Sequence, residues 1–429
     1  MHKRKAYTQT MIGIAIMVGL FIFGSYTNTL KETMGTYLFA GVLLGYSLTR
    51  SRFGFAGGVK RIYMRGESSL TTALVLLVGV TTLVFMGLQW KAAMDGAVPA
   101  YMAAEGEAII PGTQNVYFTN LATIIGGVIF GIGMMLAGGC GSGTLADFGE
   151  GQGRALIAFI FFVLAAAPGH WAREVFDRTA LGQVGIQMHF PQVFGYMGSF
   201  ILTIVLLGAI YWIGITYEKK RKAEHTSKDP IGDYEEFELS YASEGHPFFS
   251  YPTYHKLFVE RWNFLVGAFA IAFGAIFVMI TTGKAWGVST PLVTLDVAIL
   301  QKFGMTFSEQ NFGSHLAKID AGLLSDGGTV RNIGLFFGSM LAFLMAHRFK
   351  IDFDFSVKDG LYYALGGLML GFGSRFGLGC NIGAMYSAIS NFSISGWIFL
   401  LAMVAGGIIG LKAFGGKVNI LPIPDHVRK

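Results

Sequence analysis

Cys140 and Cys380 are the only cysteines in a chain of 429 residues. Each lies in a lattice of glycines: FGIGMMLAGGCGSGTLAD covers 130–147 and LGFGSRFGLGCNIGAMYS covers 370–387. A thiol is small and polarisable, and its ionised form is the nucleophile. It suits soft sulfur or selenium atoms better than hard ions, and a helix N-terminus favours its ionisation. Two cysteines cannot make a disulfide framework, and this spacing is no zinc signature. Three roles stay open: small buried hydrophobes, a disulfide joining two halves of the chain, or two thiols facing a pathway.

The glycines narrow the choice. Gly138, Gly139, Gly141 and Gly143 surround Cys140, and Gly377, Gly379 and Gly383 surround Cys380. Each glycine costs a helix up to about 1 kcal/mol against alanine. Both runs are therefore expected to be turns that aim backbone N–H groups into a cavity, a geometry that attracts anions. Gly139, Gly141, Gly379 and Asn381 join the two cysteines as candidate pathway residues. The pairs Gly127/Gly131 and Gly367/Gly371 are one helical turn apart and allow another helix to approach closely.

Arg375 stands five residues before Cys380 in an apolar segment. An arginine inside a membrane costs about 2.5 kcal/mol or more, so it faces protein or water. Either a fixed carboxylate such as Asp147 neutralises it, or a passing anion does. Asp147 and Glu150 read more readily as caps of the next helix than as proton carriers. Two loops, TRSRFGFAGG (49–58) and TTGKAWGVSTP (281–291), are basic, glycine-rich and aromatic. Phe53, Phe55 and Trp286 in them either wall a pathway or anchor at a membrane interface.

These residues need a scaffold, and composition decides its class. The chain is 53% hydrophobic and 14% charged, against about 25% charged in soluble domains; mean hydropathy is +0.53. Apolar runs near 10–28, 34–49, 68–90, 118–139, 154–168, 194–214, 262–282, 331–347, 360–379 and 394–414 are long enough to cross a bilayer as helices. Residues 291–305 form a further interfacial or re-entrant candidate. The first run follows Lys3, Arg4 and Lys5 without a cleavage pattern, so it reads as an uncleaved helix. The net charge of +6 gives no nucleic-acid footprint, because the basic residues flank spans.

With the N-terminus inside, the inner segments hold 23 Lys and Arg and the outer ones 8. This bias predicts cytoplasmic N- and C-termini. A shift of 240 residues superposes Gly126, Gly127, Gly131, Gly133, Gly139, Cys140 and Gly143 on Gly366, Gly367, Gly371, Gly373, Gly379, Cys380 and Gly383. The helices ending at the two cysteines then cross in opposite directions. Inverted repeats place a substrate site near the midplane, at broken helices. The expected fold is all-α: a polytopic membrane protein of about ten helices with two inverted repeats and glycine-broken or re-entrant segments. Its parts are an extra helix (1–33), a first repeat (34–215), a cytoplasmic linker (216–261), a second repeat (262–415) and a tail (416–429).

The two cysteine segments, Gly131 to Gly143 and Gly371 to Ala384, resemble the signature regions of the YeeE/YedE sulfur-transport family, and the paired loops resemble its other shared segments. The resemblance spans nearly all of both repeats. It implies a bacterial inner-membrane importer of thiosulfate or a related sulfur or selenium species, and a cytosolic sulfur-carrier protein as partner. It carries the family's pathway cysteines onto Cys140 and Cys380. Thiosulfate-importing members of the family are associated with a further cysteine in the first loop, as in RFCF, where this chain has Gly54. The resulting expectation is a permease for a small sulfur-containing anion, with no catalytic residue, metal, cofactor or nucleic-acid partner. The rival is a membrane-bound thiol redox or sulfurtransferase enzyme. It needs both Cα atoms within about 7 Å and a nearby base, and neither motif contains a histidine.

Overall fold

The computed structural model describes residues 2–229, 234–240, 247–424 and 426–427. The first half contains α1 (His2–Leu30), α2 (Met34–Ser51), α3 (Gly57–Arg65), α4 (Ser69–Met94), α5 (Leu121–Ala137), α6 (Gly141–Gly149), α7 (Gly153–Leu164), α8 (Ala166–Asp177) and α9 (Pro191–Ala223). The second contains α10 (Tyr251–Tyr254), α11 (Phe264–Thr282), α12 (Ser289–Lys302), α13 (Glu309–Asp320), α14 (Gly327–Met345), α15 (Val357–Phe376), α16 (Ala388–Ser390) and α17 (Ile394–Phe414). The one sheet among the described residues pairs β1 (Thr119–Asn120) antiparallel with β2 (Gly185–Ile186). Eight helical stretches are long and apolar enough to cross a membrane. α2 and α15 have comparable length but more polar sequences, and much of each is buried against other helices. The protein is an all-α, multi-pass membrane protein.

The packing is two-fold in pattern. α5 lies against α15 and α17, while α15 lies against α5 and α7; α2 meets α14 and α11, while α11 meets α2 and α4. Exchanging α2 with α11, α4 with α14, α5 with α15 and α7 with α17 leaves this set of contacts unchanged. Direction can be read from which residues touch. A methyl on Gly126 would meet Gly373 and Gly377, and one on Gly133 would meet Gly366 and Leu370, so α5 and α15 are antiparallel. Gly267 faces Ser51 and Gly274 faces Leu44, so α2 and α11 are antiparallel too. Helices equivalent under the repeat therefore run in opposite directions.

Glycine sets the distances in this core. An added methyl on Gly131 would stand 2.2 Å from the Met403 carbonyl oxygen, and on Gly371 2.3 Å from that of Phe162. Both separations are below any real carbon contact, so the small-residue pairs seen in the sequence are the seams between α5 and α17 and between α15 and α7. Lipid tails are as apolar as leucine, so van der Waals packing at such seams is a main source of helix association.

The polar segments collect on two faces. On the face holding the N-terminal part of α1, Gln9 donates to the Phe349 carbonyl (3.0 Å), Arg50 to that of Phe258 (2.8 Å), Lys60 to that of Ile420 (3.0 Å), and Gly153 N–H to Asp352 (2.6 Å). These contacts join the segments that the lysine and arginine bias groups together. The segments around 95–119, 178–190, 284–290 and 303–326 belong to the other face.

Candidate functional site

Local backbone geometry repeats at the two cysteines. Cys140 has φ −81° and ψ −176°, and Cys380 has φ −94° and ψ −173°. Two residues before each, the chain is left-handed: φ is +81° at Gly138 and +69° at Leu378. Leucine adopts that region at a cost of about 1–2 kcal/mol, so the second turn holds its shape against local preference. Each cysteine is the extended residue immediately before a helical segment. Cys140 precedes α6, and Cys380 precedes a π-helical turn, Asn381–Ser387, that leads into α16.

The glycine run is less of a turn than its composition implied. Gly141 and Gly143 lie inside α6, not in a break. Tertiary space overrides helix propensity here: a methyl on Gly141 would reach the Phe162 ring at 3.1 Å and the Cys380 Cβ at 3.4 Å. One on Gly143 would stand 3.6 Å from the Cys140 Sγ. Glycine is used because the two turns lie back to back.

Both thiols are free and buried. The Cys140 Sγ is 3.4 Å from the Ser142 hydroxyl. A cavity of about 520 Å³ opens beside the first turn and is lined by Gly138, Gly139, Cys140 and Gly143 together with Phe53, Gly54 and Ala56 of the first loop. A second, of about 730 Å³, opens at the second turn, lined by Leu378, Gly379 and Gly383 with Lys284, Ala285 and Gly287 of the other loop. Cys380 itself lies behind this lining. Gly141 sits between the turns. Asn381 is fully buried, donates to the Met403 sulfur (3.1 Å) and leaves its own carbonyl oxygen without a partner.

Between the cavities stands an aromatic barrier. The Tyr386 ring lies 5.8 Å from Phe55 and 6.4 Å from Trp286, and its hydroxyl is 2.8 Å from that of Thr81. The Ser387 hydroxyl donates to the Trp286 carbonyl (2.6 Å). Phe53, Phe55 and Trp286 are 2%, 2% and 0% exposed, so they are interior walls and not interface anchors.

The charges depart from the sequence reading. Asp147 and Glu150 do not cap the next helix: Asp147 lies within α6, Glu150 closes it, and the residue before α7 is Gln152. Asp147 pairs with Arg154 (2.6 Å) and Glu150 with Arg52 (3.2 Å). Asp147 is thus not the partner of Arg375. Burial raises the Glu150 carboxyl above its ordinary range, against the pull of Arg52 and with the help of Asp147. Lys60, half-buried in the lining of the first cavity, is lowered to about 8 by burial and by Arg154. Sequence reasoning also missed Glu238. This linker residue lines the first cavity, lies among Arg52, Arg261 and Arg348, and was invisible because its partners are far apart in sequence.

A family model described as sulphur transport matches residues 50–409. The chain belongs to the sulphur transport family. Among the relatives of this sulphur transport protein is the thiosulfate transporter TsuA of Escherichia coli K12, 25% identical over 376 residues, covering 86% of this chain and 91% of that one. The TsuA of Spirochaeta thermophila is 23% identical over 379 residues, with 86% and 96% covered. A probable transporter, YedE of E. coli K12, is 27% identical over 176 residues, 39% of this chain and 41% of that one. Relatives named as transporters place the sulphur transport chain among permeases, not enzymes.

Proposed function

We propose that this protein carries a small sulfur-containing anion, thiosulfate or a related sulfur or selenium species, across a bacterial inner membrane. The path leads from the second cavity past Cys380 and Cys140 into the first. One observation carries this reading: each cavity ends on a cysteine turn of the same backbone form, and the turns touch through Gly141 and Cys380. The soft thiols receive the soft end of the anion, while backbone N–H groups and cations receive its oxygens. Gly139, Gly379 and Gly383 leave room at the turns. Phe55, Tyr386 and Trp286 close the path, so passage requires their rings to shift.

The cavities suit an anion. The second is lined by Lys31, Lys284, Lys318 and Arg331 against a single carboxylate, Asp326. The face with the N-terminal part of α1 is assigned to the cytoplasm on the lysine and arginine bias, which makes the second cavity the outer one. There the first cavity, beside the linker, is the place where a cytosolic sulfur-carrier protein would receive the cargo. The exchange of helices described above supports two repeats near 34–215 and 262–415.

The test is uptake of radiolabelled thiosulfate, with selenite and sulfite as alternatives, in cells lacking their own uptake route. Wild type should restore accumulation, and Cys140→Ala and Cys380→Ala should each lower it at least tenfold with membrane levels unchanged. Full uptake by the double variant would reduce both thiols to packing.

A further inference from the structure

Two buried arginines lie at the second cavity without a carboxylate partner: Arg331 in its lining, and Arg375 behind Ser289 and Thr290 of that lining. Arg375 of α15 is 6% exposed and Arg331 of α14 is 5% exposed. Neither has a carboxylate oxygen within 4.0 Å among the described residues, and the Nε of each has no hydrogen-bond partner. Their side-chain hydrogen bonds converge on one short segment, and Arg331 also lies over the Tyr37 ring at 5.9 Å. Arg331 donates to the Gly287 carbonyl (2.8 Å). Arg375 donates to the hydroxyls of Thr290 (3.0 Å) and Ser289 (3.4 Å). These two hydroxyls open α12, a helix of 14 residues.

Electrostatically this arrangement is incomplete. A helix N-terminus carries about half a positive charge, and here a guanidinium is held against it. Removing an ion from water costs several kcal/mol unless a counter-charge repays it. The carboxylate in the cavity lining, Asp326, is engaged by Lys318 (3.2 Å) and by Thr329. Space for a counter-ion exists: methyl groups added to Gly287 or Gly383, both in the lining, would meet nothing within 4 Å.

We infer that Arg331, Arg375 and the N-terminus of α12 form a capture site for a doubly charged oxyanion, distinct from the thiols and ahead of them on the path. Two fixed guanidiniums with a helix terminus match two negative charges. Their forks each grip two oxygens. Monoanions, even soft ones, satisfy half of the site. The device exists on one face only. The 240-residue shift puts Met135 at the place of Arg375, and at that of Arg331 it puts Lys91, which is exposed and paired with Asp95. The inference rests on the transport reading for direction, but binding can be measured without transport.

The experiment is equilibrium binding of labelled thiosulfate to the purified full chain in lipid nanodiscs. Unlabelled sulfate, a hard dianion, and thiocyanate, a soft monoanion, serve as competitors. Wild type should bind thiosulfate, with sulfate displacing it at least tenfold better than thiocyanate. Arg331→Gln and Arg375→Gln should each weaken binding tenfold or more, and the lysine variants should recover part of it. Unchanged binding in both glutamine variants, or thiocyanate competing as well as sulfate, overturns the site. Should a glutamine variant not fold, the competitor ranking on wild type and the lysine variants still decide. Arginine-dependent binding in a protein that takes up no thiosulfate would keep this site and sink the transport reading.

Discussion

Gly141 of the first turn lies against Cys380 of the second: a methyl on Gly141 would stand 3.4 Å from the Cys380 Cβ and 3.1 Å from the Phe162 ring. The two halves of the duplication therefore meet at their most similar residues. Gly141→Ala should require the Phe162 ring to yield by a few tenths of an ångström and cost about 1–3 kcal/mol, the range for overpacking a core. Gly141→Val should cost more. Uptake normalised to protein that elutes as a single detergent-solubilised species should fall more steeply than the amount of that protein. Equal losses in both would make Gly141 a packing residue alone.

The two thiols should differ in the face from which they are reached. Cys140 lines the cavity beside the N-terminal face, whereas Cys380 lies behind Gly379 and Gly383 on the opposite one. A charged, membrane-impermeant thiosulfonate should modify Cys140 in inside-out vesicles and Cys380 in right-side-out vesicles, slowly in both cases because the sulfurs are buried. Saturating thiosulfate should protect each. Modification of both from one face would rule out a closed barrier between the cavities.

Gly54 stands at the first-loop position where the resemblance to thiosulfate importers implies a cysteine. It lines the same cavity as Cys140, and an added Cβ there meets nothing within 4 Å. Gly54→Cys should therefore fold with stability changed by less than about 1 kcal/mol, as for substitutions that neither open nor crowd a core. A thiol there extends the row of soft groups toward the cavity mouth, so thiosulfate uptake should rise relative to wild type. Lower uptake in a well-folded variant would show that this chain needs the space more than a third sulfur.

The sequence made the class and the repeat legible because both are periodic signals. Apolar length marked the spans, and a shared cysteine fixed the register of the copies. Seams at Gly131 and Gly371 were legible for the same reason, since two glycines one turn apart have few other uses in a helix. What escaped was set by three-dimensional neighbours. Gly141 and Gly143 entered a helix because Phe162 and Cys380 leave room for nothing larger. Asp147 was offered to Arg375 when Arg154 was within 2.6 Å of it. Arg331 carried no signal in the sequence, because its role depends on the Gly287 carbonyl, 44 residues away. The linker was read as a tether, yet its Glu238 is buried against three arginines.

That last cluster gives a pH prediction. Glu238 is 3% exposed, accepts the Glu235 N–H (3.0 Å), and pairs with Arg348, Arg52 (3.5 Å) and Arg261 (3.9 Å). Burial alone would raise its carboxyl, but the Glu235 N–H and the guanidiniums of Arg348, Arg52 and Arg261 outweigh it and hold it below the ordinary carboxylate range. A depressed acid stabilises the folded chain above its unfolded value, and that stabilisation is lost as pH falls through the folded value. Glu238→Gln should therefore destabilise the docked linker at pH 7, by about 3–5 kcal/mol if the whole pair is felt. The difference from wild type should shrink steadily below the ordinary glutamate value of about 4.3. Limited proteolysis of the linker in nanodiscs across this pH range reads the effect directly. The glutamine variant should be cut faster than wild type at pH 7, and the two should converge in acid. Identical cutting rates at pH 7 would mean that Glu238 contributes nothing to docking.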